Sequence, residues 1–294
     1  RMYFLTHGGL SVYDGKRFLN YHTQDGLANE LVNDIIEVGP DSFLLATNIS
    51  VLNTLVRGRI GIFKPVDSFC PVINRFFKSN DGYWYAAADE GLYRLENNRF
   101  VKQVMKDDKG AETGCCLDRI IEWKNYFILI PWNNDLKEKL IVYDRNTGKI
   151  TDVETTIDAT TNTTTHRGQL WISTTTGPRL MDTAALSKGK IRFLPVPSQY
   201  REAAVAKDML VVFDANNKGW FCYDGMINIF SGSQKQEIGT GQDLKKYAIT
   251  DLFMDREGTM WLATDGHGAM KLRNTNIELI NQVNKQSLAC QGIT

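Results

Sequence analysis

The chain has 294 residues, of which 43% are hydrophobic and 23% are charged, a balance typical of a soluble globular protein. Its 34 basic and 34 acidic residues cancel to a formal net charge of zero. Nucleic-acid-binding and membrane-surface proteins carry a basic excess, so this balance argues against both functions. The longest apolar run, YFILIPW (126–132), is far shorter than the roughly 20 residues that cross a bilayer, so we expect no membrane insertion by this chain.

Short strands separated by Gly, Asp and Asn turns run along the whole chain and recur with a period. The first strands of successive units are predicted to begin, about 40 to 47 residues apart, near Asn33, Ile73, Arg119, Thr161, Ala203 and Thr250. YFLTHGGLSVYDGKRFLNY (3–21) supplies part of a further unit. Four short strands per unit at this spacing predict an all-β fold, a β-propeller of about seven four-stranded blades. We expect residues 1–294 to form this single domain.

Three segments test the repeat. YREAAVAKD (200–208) resembles a helix locally, but its place in the repeat predicts a strand. DMLVVFDANNKGWFCYDGMINIF (208–230) is predicted to repeat the pattern without the Trp on its second strand. MYFL (2–5) matches a second strand, so the N-terminus predicts a strand and turn rather than a signal peptide. The first blade is therefore expected either to be incomplete or to be closed by residues 286–294.

The segment DREGTMWLATDGHGAMKL (255–272) could be a calcium or phosphate loop, because it groups acidic residues with glycines. Only one repeat carries two acidic residues there, which favours scaffolding. We expect Asp255 to bond backbone amides, Gly258 to adopt positive φ, and Trp261 to fill the gap between blades.

This segment resembles the repeat of the two-component regulator propeller family. The residues that match in order are Asp255, Gly258, Trp261, Thr264, Gly266 and Gly268. Gly9-Leu10 and Gly91-Leu92 match its second half, and TQDGLANELVNDI (23–35) resembles its linker, whereas Ala269 and Met270 depart from the commoner residues.

The resemblance implies a piece of the periplasmic sensor region of a hybrid two-component histidine kinase, a signal-transduction protein of Bacteroidetes. It implies an oligosaccharide ligand, an adjoining propeller and an immunoglobulin-like domain in the same protein, and a homodimer in the full protein. The kinase and the membrane helix would lie outside this chain.

A ligand is expected on the face formed by the loops between second and third strands and between blades, where variation is tolerated. PWNND (131–135) is the best cluster for a sugar, because a flat aromatic ring adjoins amides. NISVLNTLVRGRIG (48–61) is expected to be a longer second loop with two arginines. The candidate ligand-binding residues are Trp132, Asn133, Asn134, Arg179, His267, His7, Arg57 and Arg59, and Asn48, Asp89, Asp135, Asn216 and Asn217 are expected on the same face.

Catalytic patterns are missing from the sequence. The four histidines have no metal-ligand spacing, and no G-x-S-x-G turn occurs, so we expect no catalytic residue, metal or cofactor. Five cysteines do not decide the compartment. Two alternatives stay open: a lyase-like propeller enzyme, favoured if His7 and His267 met at a metal, and a purely architectural scaffold. The ligand's identity and the dimerising face are beyond the sequence.

Overall fold

The computed structural model is all-β, and helices are nearly absent from the part of the chain that it describes. The described residues are 1–132, 139–154, 160–166, 169–174, 177–186, 188, 190, 192–206, 209–238, 244–265, 267–273, 276–280, 282–283, 286–287 and 290–293. The fold class is a seven-bladed β-propeller with four-stranded blades, as the period predicts, so the alternative of an incomplete first blade is wrong. The chain divides into two compact units, Arg1–Thr155 and Thr156–Thr294. The prediction of one domain over residues 1–294 stays a prediction.

Unit 1 holds blades 1 to 4 and a small hairpin. Unit 1 contributes three strands to blade 1, in the second, third and fourth positions of the repeat: β1 (Met2–Thr6), β2 (Gly9–Tyr13) and β3 (Phe18–Tyr21). A 3₁₀ turn follows at Thr23–Asp25. Blade 2 contains β4 (Val32–Gly39), β5 (Ser42–Thr47), β6 (Leu52–Val56) and β7 (Arg59–Ile62). Blade 3 contains β8 (Ile73–Lys78), β9 (Trp84–Ala88), β10 (Gly91–Glu96) and β11 (Arg99–Lys102), and the hairpin β12 (Met105–Lys106) and β13 (Glu112–Thr113) follows. Blade 4 contains β14 (Leu117–Trp123), β15 (Tyr126–Pro131), β16 (Lys139–Asp144) and β17 (Ile150–Glu154).

Unit 2 holds blades 5 to 7. Blade 5 contains β18 (Thr160–His166), β19 (Gln169–Thr174), β20 (Gly177–Met181) and β21 (Phe193–Leu194), with a short helix, α1, at Thr183–Leu186. Blade 6 contains β22 (Leu210–Phe213), β23 (Gly219–Tyr223), β24 (Met226–Ser231) and β25 (Gln234–Ile238). Blade 7 contains β26 (Ile249–Met254), β27 (Met260–Thr264), β28 (Gly268–Arg273) and β29 (Asn276–Ile280). The remaining strands are β30 (Gln282–Val283), β31 (Gln286–Ser287) and β32 (Cys290–Ile293), and 3₁₀ turns occur at Ser198–Tyr200, Ala203–Val205 and Leu244–Lys246. β32 falls in the predicted closing segment 286–294 and lies beside β26 and β27.

A β-bulge recurs near the start of the first strand of a blade. In unit 1 the register shifts between Val32 and Asp34, between Ile73 and Arg75, and between Leu117 and Arg119. The extra residue is an asparagine in blades 2 and 3, and its amide crosses to the next blade. Asn33 Nδ2 donates to the carbonyl of Ile73 at 2.9 Å, and Asn74 Nδ2 donates to the carbonyl of Leu117 at 2.9 Å. These bulges therefore fix neighbouring blades in register.

The core of unit 1 lies between adjacent blades. One buried cluster joins Leu5 and Leu10 of blade 1 to Val32 and Leu45 of blade 2. Strand residues alternate between two faces, so each blade presents one apolar face to each neighbour. Burial between blades is what makes the sheets stack in sequence order.

Three sequence predictions about individual segments are wrong. Residues 200–206 are not a strand: Tyr200 ends one 3₁₀ turn, Ala203–Val205 form another, and Tyr200 is buried against Trp171 with ring centroids 5.4 Å apart. Trp220 does stand on the second strand of blade 6. Residues 48–61 are not one loop, because β6 and the start of β7 occupy most of them.

Candidate functional site

Each blade has two ends with different roles. In an antiparallel meander, the turns between first and second strands and between third and fourth strands share one end, here called the turn end. The loops between second and third strands and the segments between blades share the other, here called the loop end. The candidate residues divide between these two ends.

The turn end of blade 7 is internally saturated. The Oδ1 atom of Asp255 accepts the backbone N–H groups of Glu257 at 3.1 Å and Thr259 at 2.7 Å, and its Oδ2 accepts the indole N–H of Trp261 at 2.9 Å. Gly258 adopts φ +78° in this turn, where a side chain would be strained. Asp255 thus bonds backbone amides and Gly258 adopts positive φ, as the sequence analysis expects of a structural turn.

Blade 6 repeats this arrangement. Asp214 Oδ1 accepts from the N–H groups of Asn216 and Lys218 at 2.8 and 2.9 Å, and its Oδ2 accepts from the indole of Trp220 at 3.2 Å. Asn216 and Asn217 thus belong to the turn end, and their predicted place among the second loops is wrong. The Asp and Trp stand six residues apart in both blades, a signal that the sequence carried and that our interpretation of blade 6 missed.

Blades 3 and 4 saturate the turn end with an ion network instead. Arg145 donates to Glu122 Oε1 at 2.6 Å and to Asp81 Oδ2, and its guanidinium lies 4.6 Å from the ring centroid of Phe127. Glu122, whose side chain is 5% exposed, also accepts the hydroxyl of Ser79 at 2.6 Å. A buried carboxylate paired in this way is a structural group.

The pKa of Asp81 lies below its ordinary value. Burial raises it, but hydrogen bonds from the Tyr83 amide and the Tyr85 hydroxyl favour the ionised form. The charge of Arg145 adds to that effect, so the carboxylate stays ionised.

At the loop end, one repeat position is exposed in successive blades. The residue that follows the second strand donates its N–H to the carbonyl of the residue before the first strand. The pairs are Asn48 with Leu31 at 3.1 Å, Asp89 with Val72 at 3.1 Å, Trp132 with Cys116 at 2.9 Å and, in unit 2, Asp265 with Ala248 at 2.8 Å. His7 follows the second strand of blade 1 and takes the same position. In unit 1, the four exposed side chains at this position are those of His7, Asn48, Asp89 and Trp132.

Four residues of blades 3 and 4 form what we call the Asp89 cluster: Asn74, Asp89, Cys116 and Trp132. Asn74 Nδ2 donates to Asp89 Oδ1 at 3.0 Å, and the thiol of Cys116 donates to the same oxygen at 3.3 Å. Burial, together with the Asp89 charge, raises the pKa of the Cys116 thiol to about 12, so this thiol acts as a donor rather than a nucleophile. The backbone N–H of Trp132 donates to the carbonyl of Cys116, and the Trp132 side chain is 68% exposed.

The second oxygen of Asp89, Oδ2, receives no hydrogen bond from the part of the chain that the structure describes. Asp89 as a residue is exposed. Asn74 and Cys116 were missed by the sequence analysis because Asn74 reaches Asp89 from another strand of blade 3, and Cys116 reaches it from the segment before blade 4.

The two predicted arginines of blade 2 do not lie on the loop end. Arg57 has φ +48° in the turn between β6 and β7, and its N–H donates to the carbonyl of Asp41 at 2.9 Å in the neighbouring turn. Arg59 begins β7 at the same end. The expected common face is wrong for both residues, because Arg57 and Gly58 form a tight turn.

The two described candidate residues of unit 2, Arg179 and His267, differ in their exposure and position. Arg179 lies within β20 and is half-buried, with Nη1 donating to the carbonyl of Pro178 at 3.2 Å. His267 is exposed at the loop end of blade 7, where its Nδ1 lies 2.9 Å from the carbonyl oxygen of Asp265 and its ring meets Tyr247 edge-on. Asn133, Asn134 and Asp135 lie outside the described residues. Among the described residues, no group of three His, Cys, Asp or Glu side chains could hold a metal ion.

One segment of the chain, in blade 7, matches a known family model. Residues 243–266 match the model described as "Two component regulator propeller", which confirms the resemblance at blade 7. No curated protein sequence matches the chain. No helix within the described ranges is long and apolar enough to cross a membrane.

Solved structures share the fold at low identity. The extracellular domain of a one-component system from B. thetaiotaomicron matches with a TM-score of 0.61 and 14% identity over 88% of this chain. The extracellular domain of a hybrid two-component system from the same organism matches with a TM-score of 0.52 and 13% identity over 97%. Virginiamycin B lyase from Staphylococcus aureus matches with a TM-score of 0.52 and 13% identity over 85% of this chain and 83% of its own. The chain spans 34% and 52% of the first two proteins. Identities this low show the fold alone.

Proposed function

We propose that this chain is a ligand-recognition propeller from the extracytoplasmic sensor region of a hybrid two-component signalling protein. The family match at residues 243–266 is the observation that carries this proposal. Its fold likeness to extracellular domains of one-component and two-component systems supports it further. A periplasmic location follows from the proposal, and a histidine kinase would then read the sensor's state from outside this chain.

The proposed ligand is an oligosaccharide held at the loop end of unit 1. The exposed indole of Trp132 offers a flat surface for the C–H face of a sugar ring. The carboxylate of Asp89 and the polar side chains of Asn48 and His7, which take the same repeat position in other blades of unit 1, offer partners for hydroxyl groups. An adjoining propeller, an immunoglobulin-like domain and a homodimer in the full protein belong to the same proposal.

Calorimetric titration of the chain with a panel of plant, host and microbial oligosaccharides tests the proposal. We expect saturable binding of one glycan class that Trp132→Ala abolishes. Tyr83→Ala is the matched control, since Tyr83 is a 46% exposed aromatic residue at the turn end, and it should bind normally. No heat with any glycan from this chain, together with binding by a longer chain that includes the adjoining propeller, would make this propeller a scaffold.

A lyase is the second candidate because virginiamycin B lyase has the same fold over most of both chains. An enzyme must turn over a substrate. We would therefore incubate the chain with a streptogramin and analyse the products by mass spectrometry. We expect no ring-opened product; its appearance at a rate proportional to protein concentration would replace the sensor proposal.

A further inference from the structure

We propose that the side chain of Asn228 binds a buried water molecule in the core between blades 5 and 6. A water site there lies inside unit 2 and is independent of the function proposed above. The inference comes from two buried asparagines, Asn53 and Asn228, that take the same position in different blades.

Asn53 and Asn228 are equivalent residues of blades 2 and 6. Each is fully buried on the third strand of its blade. Asn53 pairs with Leu45, the third residue from the end of β5. Asn228 pairs with Phe221, the third residue from the end of β23. Paired residues share a face of the sheet, and both partners lie in the core shared with the preceding blade, so both asparagine side chains enter that core.

The amide of Asn53 is saturated by backbone groups. Its Nδ2 donates to the carbonyls of Gly26 and Gly61, each at 2.9 Å. Its Oδ1 accepts the backbone N–H of Ala28 at 2.9 Å. Gly26 and Ala28 belong to the segment that joins blade 1 to blade 2, so this segment satisfies most of the buried amide.

The amide of Asn228 has no corresponding partners among the described residues. Its Nδ2 and Oδ1 are both buried, and neither makes a hydrogen bond with any described group. Tyr200, from the segment between blades 5 and 6, packs on Phe221 and Phe230 with ring centroids 5.0 and 5.3 Å apart. Phe230 shares the face of Asn228, two residues along β24. A buried amide without any partner is costly, so Asn228 requires one that these aromatic rings do not supply.

A second polar group lies beside this amide. The hydroxyl of Tyr223 is buried and makes no hydrogen bond with the described residues. Tyr223 stands two residues after Phe221 on β23, which makes it a diagonal neighbour of Asn228 on the same face. Burial raises the pKa of this hydroxyl and the charge of Lys235 lowers it, so the ring reaches from β23 toward β25, across the strand of Asn228. The ammonium of Lys235 is itself bonded to Glu202 at 2.5 Å.

A water molecule fits the bonds that these groups offer. Buried waters make about three hydrogen bonds to polar groups that lack other partners. Water can accept from Asn228 Nδ2 or donate to its Oδ1, and the Tyr223 hydroxyl can act toward it as donor or acceptor. An ion would be costly in a core lined by aromatic rings. Water would thus take the place that the joining segment's backbone holds around Asn53.

Nuclear magnetic resonance of the deuterated, isotope-labelled chain tests the site without altering it. The side-chain amide protons of Asn228 should show a nuclear Overhauser cross-peak to water that changes sign in the rotating frame, as a bound water gives. The amide protons of Asn53, held by two carbonyls, are the internal control and should show none. Tyr223→Phe should keep the cross-peak of Asn228, which excludes relay through the exchanging hydroxyl.

Matched substitutions add a stability measurement. Asn228→Met introduces the residue type that Met270, the partner of Leu262, supplies at the equivalent position of blade 7. Because the water leaves with the amide that holds it, the urea midpoint should shift by less than about 0.3 M. Asn53→Met leaves three backbone groups without their partner, and its midpoint should fall by about 1 M.

Three results would overturn the water site. The amide of Asn228 could show no cross-peak to water, or a cross-peak to the backbone of residues 198–206 in place of one to water. The midpoint of Asn228→Met could also fall as far as that of Asn53→Met. The first result would leave the amide unpaired, and the other two would give it a partner within the chain. None of them bears on glycan binding, so the sensor proposal is tested separately.

Discussion

The turn end and the loop end of the blades use the same residue types in opposite ways. At the turn end of blade 7, Trp261 is 1% exposed and its indole is bonded to Asp255. At the loop end of blade 4, Trp132 is 68% exposed, and its hydrogen bond within the described residues is made by its backbone. An Asp and a Trp therefore act as scaffold where their polar side-chain atoms bond to each other and to the blade. They are available for recognition where those side chains stay exposed.

Truncating the two tryptophans should separate the ends most strongly. Trp261→Ala removes a ring packed between blades and should lower the free energy of unfolding by about 3–5 kcal/mol. Trp132→Ala removes an exposed ring and should change it by less than about 0.5 kcal/mol. Urea unfolding followed by circular dichroism measures both. Equal losses in the two variants would break the comparison.

Replacing Arg145 tests the ion network at the turn end of blades 3 and 4. Arg145→Met leaves the carboxylate of Glu122, whose side chain is 5% exposed, without its cation, and should destabilise the chain by about 3 kcal/mol. Arg59→Met, a change at an exposed arginine of the same end, is the control and should have little effect. A loss below about 1 kcal/mol for Arg145→Met would mean that water replaces the guanidinium.

Removing a carboxylate from each end gives a smaller contrast. Asp255→Ala loses two backbone hydrogen bonds and the hydrogen bond from the buried indole of Trp261, which should cost about 2 kcal/mol. Asp89→Ala, at the exposed loop end, should cost less than about 1 kcal/mol. Chemical denaturation of both variants makes the comparison, and a larger loss for Asp89 would assign it a structural role.

The pH dependence should also come from the turn end. The pKa of Asp81 is lowered in the folded chain, so its contribution to stability is present above its ordinary pKa and is lost as the pH falls through the folded value. Asp81→Asn should therefore reduce stability at pH 7 and have little effect at pH 2. Urea midpoints at the two pH values measure this. If Asp81→Asn lost the same stability at pH 7 and at pH 2, the negative charge of Asp81 would be excluded as the cause.

The fold was predictable because the period is visible in particular residues. The predicted first-strand starts near Asn33, Ile73, Arg119, Thr161 and Thr250 fall within two residues of the observed ones. The strand start predicted near Ala203 is wrong because Pro195 and Pro197 remove backbone hydrogen-bond donors just before it. The turns that follow place Tyr200 in the aromatic core between blades 5 and 6. The two prolines were a signal against a strand.

The candidate site was predictable only in part. The sequence analysis expects Trp132 and Asp89 on the face formed by the second loops, and the structure places both at the loop end. Asn74 and Cys116 could not be found, because they reach Asp89 from 15 and 27 residues away through the packing of separate strands. Arg57 was misplaced because an arginine, unlike the Asn or Asp that usually precedes Gly in a two-residue hairpin turn, gives little signal for the turn at 57–58.

The most direct test of the division between the two ends is hydrogen–deuterium exchange with and without the tightest-binding oligosaccharide. The account predicts ligand-dependent protection of peptides covering residues 89–90, 115–117 and 132, which include the Asp89 cluster, and unchanged exchange at the turn end around residues 79–83 and 255–259. Protection confined to the turn-end peptides would contradict it and move recognition to the opposite end of the blades.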